Sequence, residues 1–518
     1  MGNASLSACT GSGVACAACG EPSPPAASIT ASPTTSTTAV HPPAEFVVGP
    51  CPPTPQPVAL LTGARCGELV VPENRTKPGG RALRLAVAII PSVTQPSGAE
   101  PIVFVQGGPG TDGIVHPAVP NDVRINQKRD LILFTQRGNY TSKPALACPE
   151  IDRLDIRRVG MLSDAPPTGD ALIQAARACH DRLAPNADLT AFNTIESVHD
   201  LADLRDALGI NQWNVFAHSY GTGLALIYMR HDPNGIRSVA LDGVMPPSHG
   251  APGYAWTSAR EAFDNMIKAC VEQPACGARY PDLAKTFVEQ VSRLEARPVT
   301  TTVNVPEVGE TTVVLDGGAL MGWFATLATH FPAEFPASID ELARGNPQRI
   351  AERVATIRAD PTNVGVMAQG LALSVMCSEW VPFETAEDAR RRAQQAFPEF
   401  PDSVKEQAPQ FAFIREECDV WKVPKASDAV VLGTTESAVP TLLLSGSFDG
   451  QTGPQFVRYV APHLRRSTEV TVPGAAHGVF SHPCGAMIIA AFFDTPEEPD
   501  TGCAQTTKPP PYVITSPP

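Results

Sequence analysis

The chain has 518 residues, 43% of them hydrophobic, with 39 basic and 53 acidic side chains and a formal net charge of −14. That balance argues against a nucleic-acid partner, because an acidic chain repels phosphate backbones. No run of about 18 apolar residues is present to span a membrane, and the length exceeds what one core covers, so a main domain with an insertion is expected.

At the N-terminus, Leu6-Ser7-Ala8-Cys9 is similar to a bacterial lipobox, the signal at which a cysteine is lipidated. Neither a basic n-region nor an apolar h-region lies before residue 20. The expectation is a longer precursor and a lipid anchor at Cys9; the alternative is chance in a stretch of small residues. Cys16-Ala17-Ala18-Cys19 is the only CxxC, with no second pair nearby to complete a metal site. Residues 20–58 are rich in Pro, Ser, Thr and Ala and read as a linker, so 1–50 is assigned as a low-complexity segment.

Beyond it, short apolar runs bounded by Gly or Pro occur at 83–91, 102–106, 131–135, 213–217, 239–242, 441–444 and 468–472. Buried parallel strands have this character. Helices fall between them. The 195–208 segment sets Val198, Leu201, Leu204 and Leu208 at helical spacing, and Gly209 stops it. Another helix runs through 224–230. Alternating strands and helices predict an α/β, doubly wound, mostly parallel sheet. The pattern breaks over 248–438, which reads as helices at 257–269, 282–296, 346–359 and 385–396 with a hairpin at 299–316. Such an insertion would form a cap above the strand C-termini, where open α/β sheets bind ligands. The core is thus expected in two parts, 51–247 and 439–503, followed by a flexible tail, 504–518.

Four segments carry chemistry. In Ala217-His218-Ser219-Tyr220-Gly221, a serine between a strand and a helix has tiny residues two positions to either side. A nucleophile elbow needs this, because its strained backbone leaves no room for bulk there. The bland alternative is a helix-capping serine. Gln106-Gly107-Gly108-Pro109-Gly110 follows a strand, and its backbone N–H groups can approach a reacting carbonyl. Gly108 with Tyr220 is the expected oxyanion hole; a plain turn is the alternative. Asp449, in Gly446-Ser447-Phe448-Asp449-Gly450, stands just past a late strand, where a carboxylate can orient a histidine; an ordinary turn aspartate is the alternative. Thr452 is expected to brace that loop, unless it simply faces solvent. His477, in Gly474-Ala475-Ala476-His477-Gly478, is one of 11 histidines, and only its position after the last strand sets it apart. The order glycine turn, serine, aspartate, histidine is the one this fold requires.

Of 13 cysteines, ten lie in the body of the chain. Neighbours in sequence suggest the pairs Cys51–Cys66, Cys148–Cys179, Cys270–Cys276, Cys377–Cys418 and Cys484–Cys503, and with them an oxidising compartment. Buried free thiols are the alternative.

Taken together, QGGPG, AHSYG, GSFDGQTGP and GAAHG resemble the proline iminopeptidase and tripeptidyl aminopeptidase branch of secreted α/β-hydrolases, some members of which are carboxylesterases. The likeness extends to residues 135–142, similar to the family's DQRGxGxS, and runs from about 51 to 503, weakest in the cap. Thr135 stands where the family has aspartate, and Ala217 where it has glycine. The resemblance implies acyl transfer: His477 takes the Ser219 proton, Ser219 attacks an amide or ester carbonyl, and water hydrolyses the acyl-enzyme. It implies no metal or organic cofactor. An aminopeptidase also needs an anion for the substrate's ammonium. Glu379 in Cys377-Ser378-Glu379-Trp380 is the candidate, with Trp380 as a pocket wall; Glu416, Glu417 and a solvated surface role for Glu379 are the alternatives. The readings of function are an exported aminopeptidase, an esterase of acyl or lipid-like esters, and an inactive envelope binding protein. Oligomeric state is not legible.

Overall fold

The computed structural model describes residues 43–516 except 78, 96, 98, 118–124, 307, 359–366 and 410. Cys9, Cys16, Cys19 and most of the 1–50 segment lie outside the described residues. A nine-stranded sheet contains β1 (Glu45–Val48), β2 (Arg65–Pro72), β3 (Ala82–Ile90), β4 (Ile102–Val105), β5 (Leu131–Phe134), β6 (Trp213–His218) and β7 (Ile236–Asp242). After a separate antiparallel hairpin, β8 (Val299–Val305) and β9 (Gly309–Leu315), the sheet is completed by β10 (Thr441–Gly446) and β11 (Ser467–Val472). Its order is β1-β2-β3-β5-β4-β6-β7-β10-β11. The strands from β5 to β11 in that order are parallel, and β1, β2 and β3 are antiparallel.

The apolar runs work because both faces of the sheet are covered. On β6, Val215 and Ala217 join the core under helices Thr194–Ala207 and Tyr220–His231. Phe216, pointing the other way, packs with Phe104, Leu442 and Leu444 beneath helix Pro483–Asp494. This two-residue alternation fixes which side chains reach the top edge of the sheet.

Between β7 and β10 the chain is mainly helical, in Tyr254–Glu272, Leu283–Ala296, Gln348–Arg358 and Ala386–Ala396 among others. This insertion has its own aromatic core of Trp256, Phe263, Phe287, Phe324, Phe335, Phe397 and Phe400. Each such ring, fully buried, contributes about 1.5–3 kcal/mol. All five expected disulfides form, which fits an oxidising compartment. No helix among the described residues is long and apolar enough to cross a membrane.

Two expectations are corrected. The 1–50 linker ends sooner than its composition indicates: β1 pairs with β2, and Cys51 is bonded to Cys66. β1 is an edge strand held by backbone hydrogen bonds with largely exposed side chains, so it needs no apolar pattern. Nor is 504–516 a flexible tail. Tyr512 is buried in the insertion's core, its hydroxyl donating to Met266 O at 2.9 Å. Val513 N–H donates to Ala333 O at 2.8 Å, and Thr515 N–H to the Tyr280 hydroxyl at 2.9 Å. A proline-rich segment can be held without regular structure when side chains and backbone groups of a neighbour supply the partners.

Candidate active site

Ser219 stands at the turn from β6 into helix Tyr220–His231, with φ 56° and ψ −128°. A non-glycine residue in this region is strained by about 1–3 kcal/mol, and the surroundings must hold it there. Here Ser219 N–H donates to Asp242 O at 2.9 Å, and Ser219 O accepts from Thr222 N–H and its hydroxyl at 2.8 and 2.6 Å. A Cβ on Gly221 would meet the Val105 carbonyl, which explains the small residue two positions on.

Asp449 lies in the loop after β10 and His477 in the loop after β11, neighbouring parallel strands whose C-terminal ends share one edge. His477 Nδ1 is 2.9 Å from Asp449 Oδ2. Asp449 Oδ1 accepts N–H bonds from Gln451 and Thr452, both at 2.8 Å, and Thr452 Oγ1 donates to Asp449 Oδ2 at 2.8 Å. Thr452 thus braces the carboxylate rather than facing solvent. Burial alone would raise the Asp449 carboxyl, but the charge and hydrogen bond of His477 and the two N–H donors hold it well below the usual carboxylate range. For His477, burial disfavours the charged ring; Asp449, by charge and hydrogen bond, and then Asp242 outweigh it and raise its pKa above 6.5. No hydrogen bond joins Ser219 Oγ to His477 among the described residues; serine–histidine contacts in unliganded sites are often loose.

The glycine turn after β4 lies against the serine. An ideal Cβ on Gly107 would sit 2.6 Å from Ser219 Cβ and 2.8 Å from His218 O. Gly107 N–H is already donated to Gln106 Oε1 at 2.8 Å. The Gly108 and Tyr220 N–H groups make no hydrogen bond among the described residues, which leaves both free for a ligand. Gly107→Ala is expected to displace the turn or the serine and lower kcat/KM by about 10²-fold, the typical cost of a misplacement near 1 Å. Steady-state kinetics beside a melting curve checks this; an unchanged rate would show that the turn is not part of the site.

Glu379 is buried at 6% exposure, which removes the solvated surface role. Its carboxylate accepts Thr194 N–H at 2.7 Å and the Thr194 hydroxyl, capping helix Thr194–Ala207. Thr194 Oγ1 is also 2.7 Å from the Tyr220 hydroxyl, so Glu379 lies directly behind the residue that follows Ser219. Burial pushes the Glu379 carboxyl up to about 7 against the pull of Thr194. Trp380 is buried edge-on to Tyr220, ring centroids 6.3 Å apart. Of the alternatives, Glu416 is exposed, whereas Glu417 is buried, and burial raises it to about 8 against the attraction of Arg158.

An alpha/beta hydrolase fold family model matches residues 100–308, and a TAP-like protein family model matches residues 407–505. The chain has the α/β-hydrolase fold. It is similar to the serine protease Hip1 of Mycobacterium tuberculosis, 29% identical over 240 residues, which is 44% of this chain and 45% of that one. It is also similar to carboxylesterase B of the same organism, 29% over 226 residues, 41% of this chain and 43% of that one. A tripeptidyl aminopeptidase of Streptomyces lividans is 29% identical over 204 residues, 37% of each chain. The matched segments span less than half the length of these relatives.

Around the edge of the sheet, the fold places several residues that the motifs did not single out. Gln106 Oε1 accepts from Gly107 and faces His218 Nδ1 at 3.1 Å, so one amide ties the glycine turn to the elbow. With its amide NH2 donated to His116 O, Gln106 presents only an acceptor, and His218 Nδ1 carries the proton. His218 Nε2 is then a buried acceptor without a partner among the described residues, in a ring 4.9 Å from that of His477. Thr194 is the other omission, since a helix N-terminus gives no sign of what caps it from another element. Thr135, the departure from the family pattern, meets a compensating acid: its hydroxyl is 3.3 Å from Asp112 Oδ1. The other Asp112 oxygen accepts Thr141 N–H and hydroxyl at 2.8 and 2.7 Å.

Proposed function

We propose that the protein is an exported serine hydrolase in which Ser219 is the nucleophile, His477 the general base and Asp449 its orienting acid. The observation that carries this reading is the Asp449–His477 bond at 2.9 Å, on the same edge of the sheet as the strained Ser219 elbow. In the proposed reaction the Ser219 proton passes to His477 Nε2 as Oγ bonds to the substrate carbonyl carbon. Gly108 and Tyr220 N–H groups receive the oxyanion, each worth about 3–4 kcal/mol in the barrier. The tetrahedral species collapses as His477 returns the proton to the leaving group, and water repeats the sequence on the acyl-enzyme. Fluorophosphonate labelling followed by peptide mapping tests it: modification of Ser219 is expected, and an unlabelled folded protein would revive the inactive-scaffold reading.

The substrate we favour is the free N-terminus of a peptide, from which a residue or short peptide is released. Support comes from two relatives named for their activities, a serine protease and a tripeptidyl aminopeptidase, and from a buried carboxylate behind Tyr220. Export is supported by the five disulfides. A second reading, hydrolysis of acyl esters, is favoured by one specific observation: both Glu379 oxygens are already engaged by Thr194. Comparing Glu379→Ala on free tripeptide and N-acetylated ester substrates separates the two. An ammonium anchor predicts at least a tenfold greater loss on the free peptide, the scale of one charge-assisted hydrogen bond; equal losses leave Glu379 as a helix cap and favour the esterase.

A further inference from the structure

We infer that Asp242 is a second acid serving His477, a positioning carboxylate that holds the imidazole-bearing loop against the nucleophile strand and favours the protonated ring. The inference rests on the reading of Ser219 and His477 given above and assigns a role to a residue which that reading does not use.

Asp242 is the last residue of β7 and is fully buried. Its carboxylate grips the chain just past the histidine, Oδ1 accepting Val479 N–H at 2.9 Å and Oδ2 accepting Phe480 N–H at 2.7 Å. Its own carbonyl accepts Ser219 N–H at 2.9 Å. A single residue therefore ties the serine turn to the histidine loop, two segments that no other backbone pairing among the described residues joins. The ring lies directly against the end of β7: an ideal Cβ on Gly243 would be 3.2 Å from His477 Cε1 and 3.3 Å from Nδ1. Gly243 and Gly478, with φ of 68° and 86°, make the two turns that allow this approach.

A buried carboxylate without a cation is costly; here its two oxygens each accept one N–H, whereas an amide would offer one oxygen and set its NH2 against the other donor. Asp242 has no arginine or lysine partner among the described residues. The charged or titratable groups around it are His477, which favours its ionised form, and Asp449, which opposes it; His218 and His330 face His477 from β6 and from the insertion. Burial raises the Asp242 carboxyl to about 7 against its N–H partners and His477. The carboxylate thus gains most when the imidazole is cationic, the state formed after Ser219 gives its proton to Nε2. Asp449 holds the Nδ1 side by a direct hydrogen bond; Asp242 acts through backbone and charge.

The test is Asp242→Asn, with kcat/KM followed against pH on an ester substrate and a melting curve recorded beside it. The expected result is a fall in kcat of about tenfold with KM little changed, and an acidic limb moved down by about one pH unit, the lower end of what an adjacent opposite charge does. A purely structural role lowers the melting temperature but leaves the limb where it was, and that outcome overturns the inference. Should Asp242→Asn fail to fold, Asp242→Ser carries the same test, since its smaller neutral side chain sets no NH2 against the Val479 and Phe480 N–H groups. An acidic limb moved to lower pH is expected, and a limb that stays where it was overturns the inference. Absence of fluorophosphonate labelling in the unsubstituted protein refutes the serine hydrolase reading instead, so the two failures are distinguishable.

Discussion

Ser219→Ala is expected to lower kcat/KM by on the order of 10⁵–10⁶-fold and to abolish fluorophosphonate labelling, the scale of losing the nucleophile from a serine triad. The alanine keeps the Cβ that packs over Gly107 and leaves the Ser219 backbone bonds to Asp242 and Thr222 intact. Its melting temperature should therefore stay close to that of the unsubstituted protein. This pairing of lost activity with retained stability is what separates a reacting group from a buried structural one. Hydrolysis of an activated ester measured beside thermal unfolding checks both halves. A variant retaining more than about 1% of the activity would mean that another group attacks the carbonyl.

The second large effect is expected at Asp449. Asp449→Asn should reduce kcat by about 10⁴-fold with little change in fold, because an amide in this place no longer selects the correct histidine tautomer. The loop geometry makes the loss specific. Gln451 and Thr452 N–H groups both point at Oδ1, so the asparagine is driven to place its oxygen there and its NH2 toward His477 Nδ1. The ring must then carry its proton on Nε2, where it cannot accept one from serine. The pH dependence follows from the same charges. In the proposed reaction His477 must be neutral to act as base, and its pKa is raised above 6.5 in the folded protein. Activity is therefore present above that raised value and lost as pH falls through it. Removing Asp449 moves this limb toward lower pH, and rate profiles of the two proteins measure the displacement.

The central strands β4, β5, β6, β7 and β10 are legible in the sequence because each is buried on both faces, so composition alone marks them. The helices of the insertion are legible because Leu283–Ala296 and Tyr254–Glu272 bury one face and expose the other. Ser219, Asp449 and His477 stand out for a different reason: each occupies the turn directly after an apolar strand, where local sequence reveals a position at the sheet edge. β1 and the segment through Tyr512 were hidden because backbone groups and one buried ring hold them, and neither leaves a periodic trace. Glu379 was visible as an acid in a suggestive motif, but its partner Thr194 is 185 residues away in sequence, and only the folded chain brings them together. Asp242 was hidden in another way. It ends a strand whose other residues are mostly apolar, and its partners are backbone N–H groups that any residue could have offered.

The final residues also have a mechanical consequence. Cys484–Cys503 anchors the base of this segment to the helix beneath the sheet, while Tyr512, Val513 and Thr515 are fastened to the helical insertion. The chain's end acts as a strap buckled at both sides. Swinging the insertion away from the sheet as a rigid door would tear Tyr512 from its socket, so a substrate of the proposed reaction would have to reach Ser219 through smaller movements of the walls, and trimming the protein before residue 512 would loosen a joint that lies outside every motif of the proposed site.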